Sequence, residues 1–207
     1  IYNLHSTSRN YFKKYKSFLE KINMEEKFIA PDNIDDFFKQ KYGGESFSLL
    51  TLDDGFANNL DFAIQVLEPL NIKAIFFIIP NLIYKKNDRE KCLKFFNVLY
   101  PKKNKRIRED LDNQFIPLSK KNVLEIKSYG HTIGMHGFNH EKFSELNEKE
   151  IAKVIKKGLI IFKNLNIEIK HFAYPFGDKT SFNNKSNNIL KKYFKYIHSG
   201  IRGSNYF

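Results

Sequence analysis

Strand-length apolar runs, each halted by turn-forming residues and followed by a segment of helical period, set the strongest limit on how this chain can fold. Phe47-Ser-Leu-Leu-Thr-Leu52 is one such run, stopped by Asp53-Asp54-Gly55. A run this short and this apolar suits a buried strand. Leu60, Ala63, Ile64 and Leu67 then recur at helical spacing, and Pro69 helps to end that helix. Residues 74–79, rich in Ile and Phe, predict the next strand, closed by Pro80. Ser119 is a suitable N-cap for a helix over 120–129, with Gly130 at its C′ position. Residues 131–135 read as a further strand. Asn147, with Glu150 three residues on, starts another helix whose apolar face is Ile151, Val154, Ile155, Leu159 and Phe162. Residues 171–174 and 193–198 are expected to be later strands. This alternation predicts an α/β fold, as a barrel or an open parallel sheet, with chemistry at the C-terminal strand ends.

At 207 residues the chain can bury one sizeable core, and a single domain over 1–207 is expected. The polar, strongly charged stretch 81–117 reads as an excursion inserted over one end of it. No apolar run reaches the roughly eighteen residues of a transmembrane helix. The formal net charge is +12, but the lysines are scattered along amphipathic helices and no recognition module accompanies them, so no specific nucleic-acid partner is expected. Cys92, the single cysteine, excludes an internal disulfide. The first residue is Ile1 and patterned sequence follows at once, so a clipped N-terminus is expected, and extracytoplasmic and cytoplasmic settings both fit.

Three polar marks stand where strands should end. Asp53 and Asp54 follow a buried apolar run, where adjacent carboxylates are costly unless a cation offsets them. A metal held by one would leave the other as a base; capping of the next helix is the alternative. His136 and His140 stand at i, i+4, which sets both imidazoles on one side of a helical turn. One carboxylate and two imidazoles make three ligands and leave open positions for water and substrate. His131 reads instead as a structural residue at the start of its strand. The third mark, Phe172-Ala-Tyr-Pro-Phe-Gly177, is a sharp turn past a strand, whose backbone N–H after the proline could face a reacting carbonyl oxygen.

Taken in this order, the three marks resemble the NodB-like polysaccharide deacetylases. Thr51-Leu-Asp-Asp-Gly55 is similar to that family's T-F-D-D-G motif. His136 to His140 is similar to its H-x-x-x-H element, with Gly130-His-Thr-Ile-Gly134 as the lead-in. Phe172 to Gly177 resembles its R-x-P-Y turn, and the run from Ala74 resembles its "aTFF" segment. Ile1-Tyr-Asn-Leu-His5-Ser resembles the N-terminal strand of the poly-N-acetylglucosamine deacetylase branch.

The resemblance implies a distorted (β/α) barrel and hydrolysis of acetyl groups from an N-acetylated glycan. It implies Asp53 as general base and Asp54, His136 and His140 as metal ligands. The metal would be Zn2+ first, with Co2+, Ni2+ or Mn2+ as alternatives. The Phe176 N–H would share the oxyanion charge. The family's late L-x-H and D-x-x-W motifs have no counterpart, and Ala173 stands in place of its base-tethering arginine. The general acid is then His5, supplied early in the chain as in the branch just named, with His198 as competitor. Arg202 is a candidate tether for Asp53. The rival readings are a glycan-binding relative without activity and a hydrolase of a small non-polymeric amide.

Overall fold

The computed structural model of the chain describes residues 1–39, 47–83, 92, 95, 96, 98, 99 and 116–201. Most of the excursion expected over 81–117, and Arg202, lie outside the described residues. The chain divides into two compact units, residues 1–76 with 83–132 and residues 77–82 with 133–207.

In the first unit, β1 (Tyr2–Leu4) is followed by α1 (Phe12–Glu25), β2 (Lys27–Phe28), α2 (Ile34–Lys39) and β3 (Phe47–Ser48). β2 and β3 pair with each other in a small parallel sheet of their own. The apolar run expected as one strand is therefore divided at Leu49, and only its second half, β4 (Leu50–Leu52), joins the main sheet. β1 pairs in parallel with β4 at Tyr2↔Leu50 and Leu4↔Leu52. β4 pairs with β5 (Ala74–Ile78) at Leu50↔Ala74 and Leu52↔Phe76. Leu50, Leu52 and all of β5 are buried, as expected for parallel strands covered on both faces. Each of the Leu, Ile and Phe side chains among them contributes about 1.5–3 kcal/mol by leaving water.

The helix after β4 starts earlier than its apolar spacing suggests. α3 (Asn58–Phe62) continues into a π-helical stretch, Ala63–Leu67, closed by the Glu68 N–H donating to the Ala63 carbonyl at 2.9 Å. Asn71, at φ 52°, ends this segment, and the Ile72 N–H returns to the Leu67 carbonyl at 3.0 Å. Phe62 is fully buried, edge-on to Phe12 and Tyr15 of α1. After the short α4 (Pro80–Ile83), α5 (Lys120–Ser128) carries the expected cap, with the Asn122 N–H donating to Ser119 Oγ at 3.2 Å. At the other end of α5, Lys73 Nζ donates to the Tyr129 carbonyl at 2.7 Å. A cation there suits the carbonyl-rich helix terminus.

In the second unit, β6 (Thr132–Met135) pairs with β7 (His171–Ala173) at Met135↔Phe172. β7 pairs with β8 (Tyr196–His198) at His171↔Tyr196 and Ala173↔His198. The strand expected over 193–198 is shorter, because α7 (Asn184–Leu190) runs into a turn over 191–193. α6 (Glu148–Lys163) begins with the capping box read from the sequence, the Glu150 N–H donating to Asn147 Oδ1 at 3.0 Å and Glu150 accepting the Asn147 N–H at 2.8 Å. Gly158 interrupts its apolar face for a steric reason. A Cβ there would stand 2.2 Å from Met135 Cε and 3.1 Å from Pro80 Cγ. Phe143, Phe162 and Phe172 form the fully buried centre of this unit. Among the described residues, no helix is long and apolar enough to cross a membrane.

Candidate metal and catalytic site

β4 ends in a turn that carries both carboxylates. The Asp53 N–H donates to the Leu4 carbonyl at 2.9 Å, extending the β1–β4 ladder by one step. That step sets His5, the exposed residue after β1, alongside Asp53. Asn3 Nδ2 donates to Thr51 Oγ1 at 2.9 Å and fixes the same strand pair from its side chains. Asp54 is buried at φ 71°, and Gly55 follows at φ 71°. Two successive left-handed residues reverse the chain abruptly. Aspartate tolerates the first position better than most side chains, and glycine takes the second without steric cost.

In the second unit, the His136 N–H donates to the Ile78 carbonyl at 2.9 Å, which holds this residue at the end of β6. Its side chain is buried, and Nδ1 lies 3.0 Å from the Ala173 carbonyl. A carbonyl only accepts, so Nδ1 carries the hydrogen and Nε2 presents its lone pair. His140 is reached through a tight turn rather than the helical turn that the i, i+4 spacing suggests, and it sits at φ 58°. Glu141 clamps the turn by accepting the Phe138 N–H at 2.9 Å and the Asn139 N–H at 3.0 Å. The two imidazoles come to a centroid separation of 4.9 Å at 74°. The half-exposed Phe176 ring meets His140 edge-on at 4.6 Å, and its backbone is left-handed at φ 64°.

In the first unit Asp54 offers a carboxylate oxygen, and in the second His136 and His140 each offer an imidazole nitrogen. A hard carboxylate oxygen with two imidazole nitrogens is a donor set that fits a divalent ion such as Zn2+. The His136 bond to a backbone carbonyl is the outer contact that orients metal-binding imidazoles elsewhere. Backbone strain falls on two of these three residues, Asp54 and His140, and on Phe176. Among the described residues, the non-glycine positions with positive φ are Asp54, His140, Phe176, Asn71 and Asn166. The asparagines follow helical segments, where this conformation is common. The other three sit at the candidate site, at a cost of order 1–3 kcal/mol each.

The remaining histidines take other places. His131 is structural, as its position suggests: its Nδ1 accepts the Ala74 N–H at 3.2 Å, and its Nε2 stands 3.3 Å from Glu68. Burial pushes its pKa down to about 4 against the opposing pull of Glu68, with Lys73 lowering it further. His198 lies 3.1 Å from His171, Nε2 to Nδ1, and its ring is 5.1 Å from that of Phe77. Burial, and then His171, push its pKa down to about 3, so it is neutral at pH 7. The sequence reading did not find this pair, because the β7–β8 register that joins it is not visible in spacing. Nor did it find Asn58 and Asn59, two polar residues buried directly after the Asp-Asp-Gly turn.

A sequence model described as "Polysaccharide deacetylase" matches residues 40–195. No curated protein matches the chain by sequence. Among solved structures, the chain is similar to the Streptococcus pyogenes deacetylase PplD in complex with acetate, at TM-score 0.67 and 18% identity, covering 94% of this chain and 81% of that one. It is similar to IcaB from Ammonifex degensii at TM-score 0.68 and 16% identity, covering 97% and 90%. A de-N-acetylase from Aggregatibacter actinomycetemcomitans gives TM-score 0.67 at 13% identity, covering 97% and 87%. These likenesses show the fold, a distorted (β/α) barrel with a parallel sheet and surrounding helices. With the family match extending over most of its length, the chain belongs to the polysaccharide deacetylase family.

Proposed function

We propose that this protein is a metal-dependent hydrolase that removes acetyl groups from the N-acetylated sugars of a glycan, within one catalytic domain that takes in both compact units. The observation that carries this reading is the donor set of Asp54, His136 and His140, each at or just past the end of a strand, in a chain of deacetylase family. Asp54, His136 and His140 would hold the ion. When bound, a divalent cation supplies Lewis acidity, which activates water and polarises the amide carbonyl. Asp53, on the same turn as Asp54, accepts a proton from the attacking water. The Phe176 N–H, set by a left-handed residue at the turn after β7, donates to the oxygen that gains negative charge. The sugar amine must be protonated as it leaves.

His5 is the proton donor in this reading. It is exposed beside Asp53, whereas His198 is neutral and lies against His171. The test is acetate release from N-acetylglucosamine oligomers, set beside release from a small non-sugar amide. Faster turnover of the oligomers supports the reading, and activity confined to the small amide would move the substrate to another class. Binding of the oligomers without acetate release would instead mark a glycan-binding relative.

A further inference from the structure

β1 is three residues long, and His5 follows it on the surface. A side chain on so short a strand end is held only as well as the backbone beneath it. Two consecutive buried asparagines at the start of α3 tie that backbone. Asn59 is fully buried; its Nδ2 donates to the His5 carbonyl at 2.8 Å and to Thr7 Oγ1 at 3.0 Å. Asn58, 1% exposed, accepts the Thr7 N–H on Oδ1 at 3.2 Å and donates from Nδ2 to Ser6 Oγ at 2.9 Å. Thr7 Oγ1 also reaches the Asn58 carbonyl at 3.3 Å. Each residue of the segment His5-Ser6-Thr7 is therefore bonded to the asparagine pair. Since α3 begins just after the Asp53–Asp54 turn, the same few residues carry the base at one end and the tether for His5 at the other.

Buried amides cost free energy unless their hydrogen bonds are met, and an apolar side chain would fill the same space without that condition. Their contribution here is geometric. We infer that Asn59, supported by Asn58, is a positioning residue that holds His5 where it can protonate the departing amine. This inference rests on the reading of His5 as general acid. In that step the C–N bond breaks, its electron pair goes to nitrogen, and nitrogen takes the proton from the His5 imidazolium. His5 then regains a proton from solvent. Misplacing such a group by about 1 Å can cost 100-fold in rate.

The inference separates from a merely structural role through the leaving group. An N-acetylglucosamine oligomer releases an amine that needs the proton, whereas 4-nitrophenyl acetate releases a phenolate that does not. Asn59→Asp keeps the shape and removes the Nδ2 donor. It is expected to lower kcat on the oligomer about tenfold to 100-fold, with KM little changed and the ester rate close to wild type. His5→Ala is expected to show the same selectivity with a loss of about 100-fold or more on the oligomer. Equal losses on both substrates for Asn59→Asp would make Asn59 a structural residue and overturn the inference. Selective loss in His5→Ala but not in Asn59→Asp would overturn it while leaving His5 as the acid. No selective loss in His5→Ala would remove the acid assignment, and the inference with it. Thermal unfolding checks that each variant folds, and Asn59→Ser, smaller and uncharged, carries the same test where Asn59→Asp does not.

Discussion

His136 Nδ1 lies 3.0 Å from the carbonyl oxygen of Ala173, and this contact selects the imidazole nitrogen that is left to bind a metal. It also gives residue 173 a role independent of its side chain. Alanine occupies the place of the arginine that the sequence resemblance leads one to expect, yet the backbone there still orients a candidate ligand. If His136, His140 and Asp54 form the site, His136→Ala, His140→Ala and Asp54→Asn should each abolish Zn2+ binding measured by titration calorimetry. His131→Asn should leave that binding unchanged, since His131 is engaged by Ala74 and Glu68.

His131 makes the fold sensitive to acid. Its pKa is lowered from 6.5 to about 4, a difference worth about 3 kcal/mol. Between those values the unfolded chain binds a proton that the folded chain refuses. Its contribution is therefore fully present above pH 6.5, declines as pH falls toward 4, and is absent below. His198 acts in the same sense down to about pH 3. Urea unfolding across this range should show a shallower decline in His131→Asn, whose amide oxygen can still accept the Ala74 N–H. An unchanged slope would contradict the assignment.

The turn bearing Phe176 depends on Gly177, which sits at φ 68°. A Cβ at that position would lie 2.6 Å from the Gly200 backbone nitrogen, and backbone cannot move aside as a side-chain tip can. Gly177→Ala should cost about 1–3 kcal/mol in urea unfolding. Because it displaces the Phe176 N–H, it should also lower kcat for deacetylation in the protein that remains folded.

The cap of α6 offers a contrast, since it touches no candidate catalytic residue. Asn147→Ala removes the acceptor of the Glu150 N–H and should cost about 1 kcal/mol. Its kcat should match wild type.

Local hydrogen-bond chemistry was the most legible layer of this sequence. The caps at Ser119 and Asn147 are formed by residues whose side chains reach only three positions along the chain, so the pattern alone reveals them. The Asp-Asp-Gly turn was visible because adjacent carboxylates are costly after a buried apolar run, and the two histidines because of their i, i+4 spacing. The π-helical stretch after α3 was not visible, since one wider turn leaves the apolar spacing nearly intact. The division of the first run at Leu49 was hidden because both halves are apolar, although they pair in different sheets. The His171–His198 contact and the hold of Asn58 and Asn59 on the His5 segment depend on strand register and helix placement. Neither follows from the spacing of the residues concerned.

The most direct test of metal-assisted deacetylation measures acetate released from N-acetylglucosamine oligomers by wild type and Asp53→Asn, each with and without a chelator. Wild type should release acetate, lose that activity on chelation and regain it with Zn2+. Asp53→Asn should be slower by about 100-fold or more while still binding Zn2+. Acetate release unaffected by both the chelator and the substitution would contradict the mechanism.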